Sequence, residues 1–87
     1  MLQNYPNPFN AGTVISFNLK DATEWKVTIY NVMGQVVRTF EGADDAASVR
    51  VPWDGRDRDG STVASGVYFY RVITPKWNAT RKMTLVR

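Results

Sequence analysis

The sequence predicts an all-β fold: an antiparallel β-sandwich of the immunoglobulin/fibronectin type with about seven strands. Three observations predict it. Apolar and polar residues alternate with period two in several short runs, the mark of half-buried strands. Turn-forming residues separate those runs at roughly ten-residue spacing. A helical window competes only at Asp44 to Ser48, and it is too short to hold a helix.

Residues 1–12 read as a proline-rich, ordered lead-in, and residues 13–87 as the sandwich. Pro6 and Pro8 fix their own φ and push Tyr5 and Asn7 toward extended conformations, so an irregular segment is expected there. Thr13 to Leu19 is the first strand, with Ile15, Phe17 and Leu19 in phase. Lys20 to Glu24 is polar and reads as a turn. Trp25 to Asn31 follows as a strand with Val27 and Ile29 on one face. Asn31-Val32-Met33-Gly34 is a hairpin connection, and Gln35 to Phe40 is the next strand. Glu41 to Asp45 reads as a loop.

Ser48 to Trp53 places Val49, Val51 and Trp53 in phase, with Pro52 out of phase. Proline cannot donate to a central ladder, so this is expected to be an edge strand or the end of a strand. Asp54 to Gly60 is an acidic, glycine-flanked turn, and Thr62 to Ala64 is a candidate very short strand. Val67 to Thr74 is the longest strand signal. If Arg71 faces water, Phe69 shares its face and Tyr68, Tyr70 and Val72 point inward. Pro75-Lys76 turns the chain into a last strand ending at Val86. The expected core is Ile15, Phe17, Leu19, Val27, Ile29, Val37, Val49, Val51, Trp53, Tyr68, Tyr70, Val72, Met83 and Leu85.

Composition narrows the function classes. The 87 residues include no cysteine and no histidine. Disulfide scaffolds, thiolate zinc sites, cysteine nucleophiles and histidine general bases are thereby excluded. No pair of carboxylates is placed to share a proton, so an enzyme is the least supported class and no cofactor is expected. Hydrophobic residues make up 44%, too many for a disordered chain. No apolar run approaches the ~20 residues of a membrane helix. Met1-Leu2-Gln3 runs straight into the Pro/Asn segment, and no secretory leader is expected at this start. A net charge of +3 is no argument for nucleic acid, and no membrane insertion is expected.

Several separated segments together resemble one family. They are Leu2-Gln3-Asn4-Tyr5-Pro6-Asn7-Pro8-Phe9-Asn10, Ile29-Tyr30-Asn31 with Met33-Gly34-Gln35-Val36-Val37, and Val51-Pro52-Trp53-Asp54-Gly55-Arg56-Asp57. Gly60, Val63-Ala64-Ser65-Gly66-Val67-Tyr68-Phe69-Tyr70-Arg71, Thr80-Arg81-Lys82-Met83 and Leu85-Val86-Arg87 complete the set. In this order and spacing they resemble the type A C-terminal sorting domain of the type IX secretion system. The immunoglobulin-like domain of the flagellar hook-capping protein shares the Trp-Asp-Gly and Ala-Ser-Gly-Val-Tyr parts. Ala11 departs from the proline usual after Pro-Phe-Asn, and Glu24-Trp25 is a less usual strand start.

The resemblance implies a non-catalytic address carried behind a cargo protein. An outer-membrane translocon would read it, and a sortase-like protein would then join the cargo to the cell surface. Localisation would run from the periplasm to the outer membrane, the surface or the medium. The residues this assigns to recognition are Asn4, Tyr5, Pro6, Asn7, Pro8, Phe9, Asn10, Gly66, Lys82 and Arg87.

Other readings of the same residues stand beside it. The lead-in can serve structure, packing Tyr5 and Phe9 onto the sandwich and covering an open edge. Lys76, Arg81, Lys82 and Arg87 give the C-terminal hairpin a positive face, suited to an acidic partner or to plain solvation. Asp54, Asp57 and Asp59 suggest a calcium loop, but Arg56 and Arg58 interleave them and no bidentate glutamate follows. A turn held by aspartates accepting backbone N–H groups is the simpler account. Asn78-Ala79-Thr80 matches a glycosylation acceptor by chance. Two alternative functions remain: a structural immunoglobulin-like interaction module, and a carbohydrate-binding module using Trp25, Trp77 or Phe69 as a platform.

Overall fold

Among the described residues, period-two patterning is realised as seven strands: β1 (Leu2–Tyr5), β2 (Thr13–Asn18), β3 (Thr23–Tyr30), β4 (Val36–Asp44), β5 (Ser48–Trp53), β6 (Gly66–Ile73) and β7 (Asn78–Leu85). The computed structural model describes residues 2–45 and 48–87. The strands form two antiparallel sheets, of order β1-β2-β5 and β4-β3-β6-β7. In immunoglobulin constant-type domains the fourth strand joins the first sheet. Here β4 pairs with β3 instead.

Every expected core residue is buried, and Leu2 and Phe9 join them. Each inward side chain of this size contributes about 1.5–3 kcal/mol by leaving water. The face assignment on β6 holds, with Tyr68, Tyr70 and Val72 inward and Phe69 and Arg71 half-exposed on the other side. β5 is an edge strand, and its pairing with β2 runs in register through Val14 and Pro52. At the hairpin before β4, the Asn31 side-chain oxygen accepts the N–H groups of Met33 and Gln35, both at 3.0 Å.

Three local expectations change. The lead-in is not irregular throughout, because Leu2–Tyr5 pairs with β2 as a strand. Its alternation, buried Leu2 and Asn4 against exposed Gln3 and Tyr5, includes a polar inward residue and so hides from an apolar pattern. The loop expected at Glu41 to Asp45 is mostly strand, since β4 continues to Asp44 opposite Thr23. Gly42 permits this: any side chain there would collide with the Trp25 ring, whose Nε1 donates to Asp44 Oδ2 at 2.6 Å. Thr62 to Ala64 is no strand. Thr62 makes one isolated bridge to Arg56, and Val63 N–H donates to the Gly55 carbonyl at 3.0 Å. The helical window at Asp44 to Ser48 lies partly outside the described residues; Asp44 ends β4 and Ser48 opens β5.

Candidate functional site

The lead-in closes over the edge of β7 and the end of the core. Phe9 is 2% exposed and packs against Trp53, with ring centroids 5.7 Å apart. Its backbone bridges β7: Phe9 N–H donates to the Thr84 carbonyl at 2.9 Å, and Val86 N–H donates to the Phe9 carbonyl at 2.8 Å. Asn7 continues that edge with its side chain. Its Oδ1 accepts Thr84 N–H at 3.1 Å, and its Nδ2 reaches the Lys82 carbonyl at 3.5 Å. Asn7 and Phe9 thus act as a short strand beside the second half of β7.

Asn4 ties the lead-in to the opposite sheet. Its Oδ1 accepts the Tyr70 hydroxyl at 3.1 Å, and its Nδ2 faces Thr13 Oγ1 at 3.2 Å and the Pro6 carbonyl at 3.3 Å. Thr13 Oγ1 donates to the same Pro6 carbonyl at 2.8 Å. Burial pushes the Tyr70 phenol up to about 12, partly offset by the Arg81 charge. The lead-in is therefore held still by Asn4, Asn7 and Phe9, while Pro6, Pro8 and Asn10 face solvent. Tyr5 is 78% exposed, contrary to the expectation that it packs on the sandwich. Alternation on β1 turns it away from the face that carries Leu2 and Asn4.

At the same end, Arg87 reaches back into the loop between β5 and β6. Its backbone N–H donates to Ser65 Oγ at 3.0 Å, its Nε to the Val63 carbonyl at 2.8 Å, and its Nη2 to the Gly55 carbonyl at 2.9 Å. Gly55 has φ +75°, and a Cβ there would meet Arg87 Nη2 at 2.7 Å and the Ala11 carbonyl at 2.9 Å. Trp53 lies beneath this loop and donates from Nε1 to the Arg56 carbonyl at 2.8 Å. Tyr68 stands edge-on to Trp53 and donates its hydroxyl to the Ala64 carbonyl at 2.6 Å. Burial raises the Tyr68 phenol, with the Arg87 charge opposing. Gly66, at φ +151°, opens β6 directly after Ser65. The structure so gathers Phe9, Trp53, Gly55, Ser65, Tyr68 and Arg87 into one cluster.

The basic hairpin does not form a single face. Lys76 sits in the β6–β7 turn and pairs with Asp21 at 3.1 Å, whereas Arg87 lies past the other end of β7. Arg81 and Lys82 are adjacent, so they point to opposite sides of the strand. Lys82 projects beside Phe69 on the outer face of the four-stranded sheet. The aspartate turn follows the simpler account: Asp54 Oδ1 accepts Arg56 N–H, and Asp57 Oδ1 accepts the N–H groups of Asp59 and Ser61. Trp25 and Trp77 are not a free platform. Both stand edge-on to buried Phe17, at 5.5 and 6.3 Å. Sequence reasoning missed the Arg87–Gly55 contact, whose only trace is the presence of both residues in the family-like segments.

A family model described as the FlgD Ig-like domain matches residues 4–76. The chain belongs to the FlgD Ig-like domain family. No curated protein sequence matches it. Among solved structures, PorZ of Porphyromonas gingivalis, described as an essential surface component of the type-IX secretion system, is similar with 26% identity and a TM-score of 0.70. That likeness covers 99% of this chain and 11% of PorZ. Latent PorU of the same organism is similar in fold, with a TM-score of 0.80 at 19% identity over 98% of this chain and 9% of PorU. FlgD from P. aeruginosa is similar with 26% identity and a TM-score of 0.68, over 86% of this chain and 64% of that one. The FlgD Ig-like fold thus accounts for most of the chain, which spans about a tenth of the length of PorU and PorZ.

Proposed function

We propose that this FlgD Ig-like domain is a non-catalytic sorting signal that directs an attached cargo through the outer membrane by the type IX route and on to the cell surface. The observation that carries the reading is the extent of the PorZ likeness. At the same 26% identity, PorZ is matched over 99% of the chain and P. aeruginosa FlgD over 86%. The stretch aligned with PorZ is therefore longer than the stretch aligned with FlgD, which favours the type IX reading. The lead-in and the Arg87 contact supply what a shape-reading machine needs, since segments already fixed cost little entropy to bind. The partners would be the outer-membrane translocon, the sortase-like protein and the cargo joined before residue 1. Transport energy comes from the machinery.

A second reading is favoured by the family model itself. An interaction module of the FlgD type would use the same sandwich to space or hold neighbouring domains. One fusion experiment separates them. Residues 2–87 are attached to the C-terminus of a periplasmic reporter in a host with a type IX translocon, beside a native cargo domain as positive control. Translocon-dependent reporter outside the cell supports sorting. Folded fusion retained in the periplasm, while the control is exported, supports the module.

A further inference from the structure

The lead-in covers only half of the β7 edge. Thr84 N–H and C=O, the Val86 N–H and the Lys82 carbonyl all turn away from β6 toward Asn7 and Phe9. Backbone groups of alternate residues point to one side of a strand, and the β6–β7 register runs without a bulge from Leu85 to Asn78. The Thr80 N–H and C=O and the Lys82 N–H must therefore face the same side as Thr84. Among the described residues nothing bonds them. Such an edge is a template for another strand.

Beside this open half lies a groove of about 720 Å³ between the β2–β3 and β6–β7 connections, flanked by Leu2 of β1 and by Ala79 and Arg81 of β7. Leu2, Leu19, Trp77 and Ala79 form its apolar wall. Arg81 and Lys20 also line it, and among the described residues neither has a carboxylate within salt-bridge distance. Lys76 at the rim is neutralised by Asp21. Alternation places the Ala79 and Arg81 side chains on the same face of β7 as buried Met83 and Leu85. A strand added at Thr80 would drop alternate side chains into the groove.

We propose that Asn78–Lys82 is a docking edge for an extended segment of a partner protein. Apolar residues of that segment alternate with a carboxylate set against Arg81. Main-chain bonds supply affinity, and the groove supplies side-chain choice. A second copy of this chain is a poor occupant. Pairing β7 with β7 would crowd Arg81 and Lys82 of the two copies, and the chain carries +3 overall. The proposal stands apart from the sorting reading, because it rests on the edge and not on export.

The test uses the 87-residue chain and the capped peptide Ser-Leu-Thr-Glu-Thr-Leu-Ser, followed by amide NMR and tryptophan fluorescence. The expected result is movement of the Thr80 and Lys82 amide resonances with a change in Trp77 emission. Replacing the peptide's Glu by Lys should weaken binding roughly tenfold, and Arg81→Glu should reverse that preference. Of two peptides N-methylated at one or the other set of alternate amides, the one whose methyl groups face β7 should not bind, and the other should. Equal binding by the two methylated peptides, shifts confined to other edges, or no shift at about 1 mM peptide would overturn the proposal.

Discussion

Arg87 Nη2 donates to the Gly55 carbonyl at 2.9 Å, joining a residue just past β7 to the turn that follows Trp53. The contact depends on the absence of a side chain at Gly55. Gly60 in the same loop is the natural comparison: it has φ +86°, and a Cβ there would meet nothing within 4 Å. Both substitutions to alanine bear the left-handed backbone penalty of about 1–2 kcal/mol. Only Gly55→Ala also displaces Arg87. Urea unfolding should show Gly55→Ala to be the more destabilised of the two, and equal losses would deny the contact its role.

Arg87→Ala removes two charge-assisted bonds, to the Val63 and Gly55 carbonyls. A net loss of about 1–3 kcal/mol is expected. Amide exchange should quicken around Val63 and Ser65 before it changes at Lys26 of β3, which pairs with Ile73 at the end of β6 remote from the loop. Unchanged exchange in the loop would mark Arg87 as a passive end.

The lead-in makes a paired prediction. Phe9→Ala empties a site 2% exposed against Trp53 and should cost about 3–5 kcal/mol. Tyr5→Ala, at a residue 78% exposed, should stay within about 0.5 kcal/mol of the parent. Thermal unfolding measures both.

The buried phenols make stability depend on pH. Tyr70 has its folded value pushed up to about 12 by burial, against 10.0 in the unfolded chain, and Tyr68 is raised in the same direction. The neutral form is favoured in the fold, so the contribution is fully present below pH 10 and is lost as pH rises through the folded value. Unfolding midpoints should fall between pH 10 and 12. Tyr70→Phe should flatten part of that slope. It should also destabilise by about 1–3 kcal/mol at neutral pH, because the buried Asn4 Oδ1 loses its donor.

The strand pattern was legible where apolar residues alternate, as in Ile15-Ser16-Phe17 and Val49-Arg50-Val51. It was hidden where the inward residue is polar, as at Asn4, whose burial is made tolerable by Tyr70 across the sandwich. The length of β4 was hidden for another reason. Gly42 reads as a turn signal, and only the Trp25 ring lying over it explains a glycine inside a strand. The candidate site was legible as residue types but not as an arrangement. Arg87 and Lys82 read as two parts of one basic face, yet the fold commits Arg87 to carbonyls and sends Arg81 and Lys82 to opposite sides.

The most direct test of the sorting account compares two sandwiches in one assay. Reporters ending in residues 2–87 and in the Ig-like domain of P. aeruginosa FlgD are expressed in the same host, with and without its translocon. Surface and medium fractions are then measured. The account predicts translocon-dependent export of the first and periplasmic retention of the second. Equal export of both, or retention of the first while a native cargo domain is exported, would contradict it.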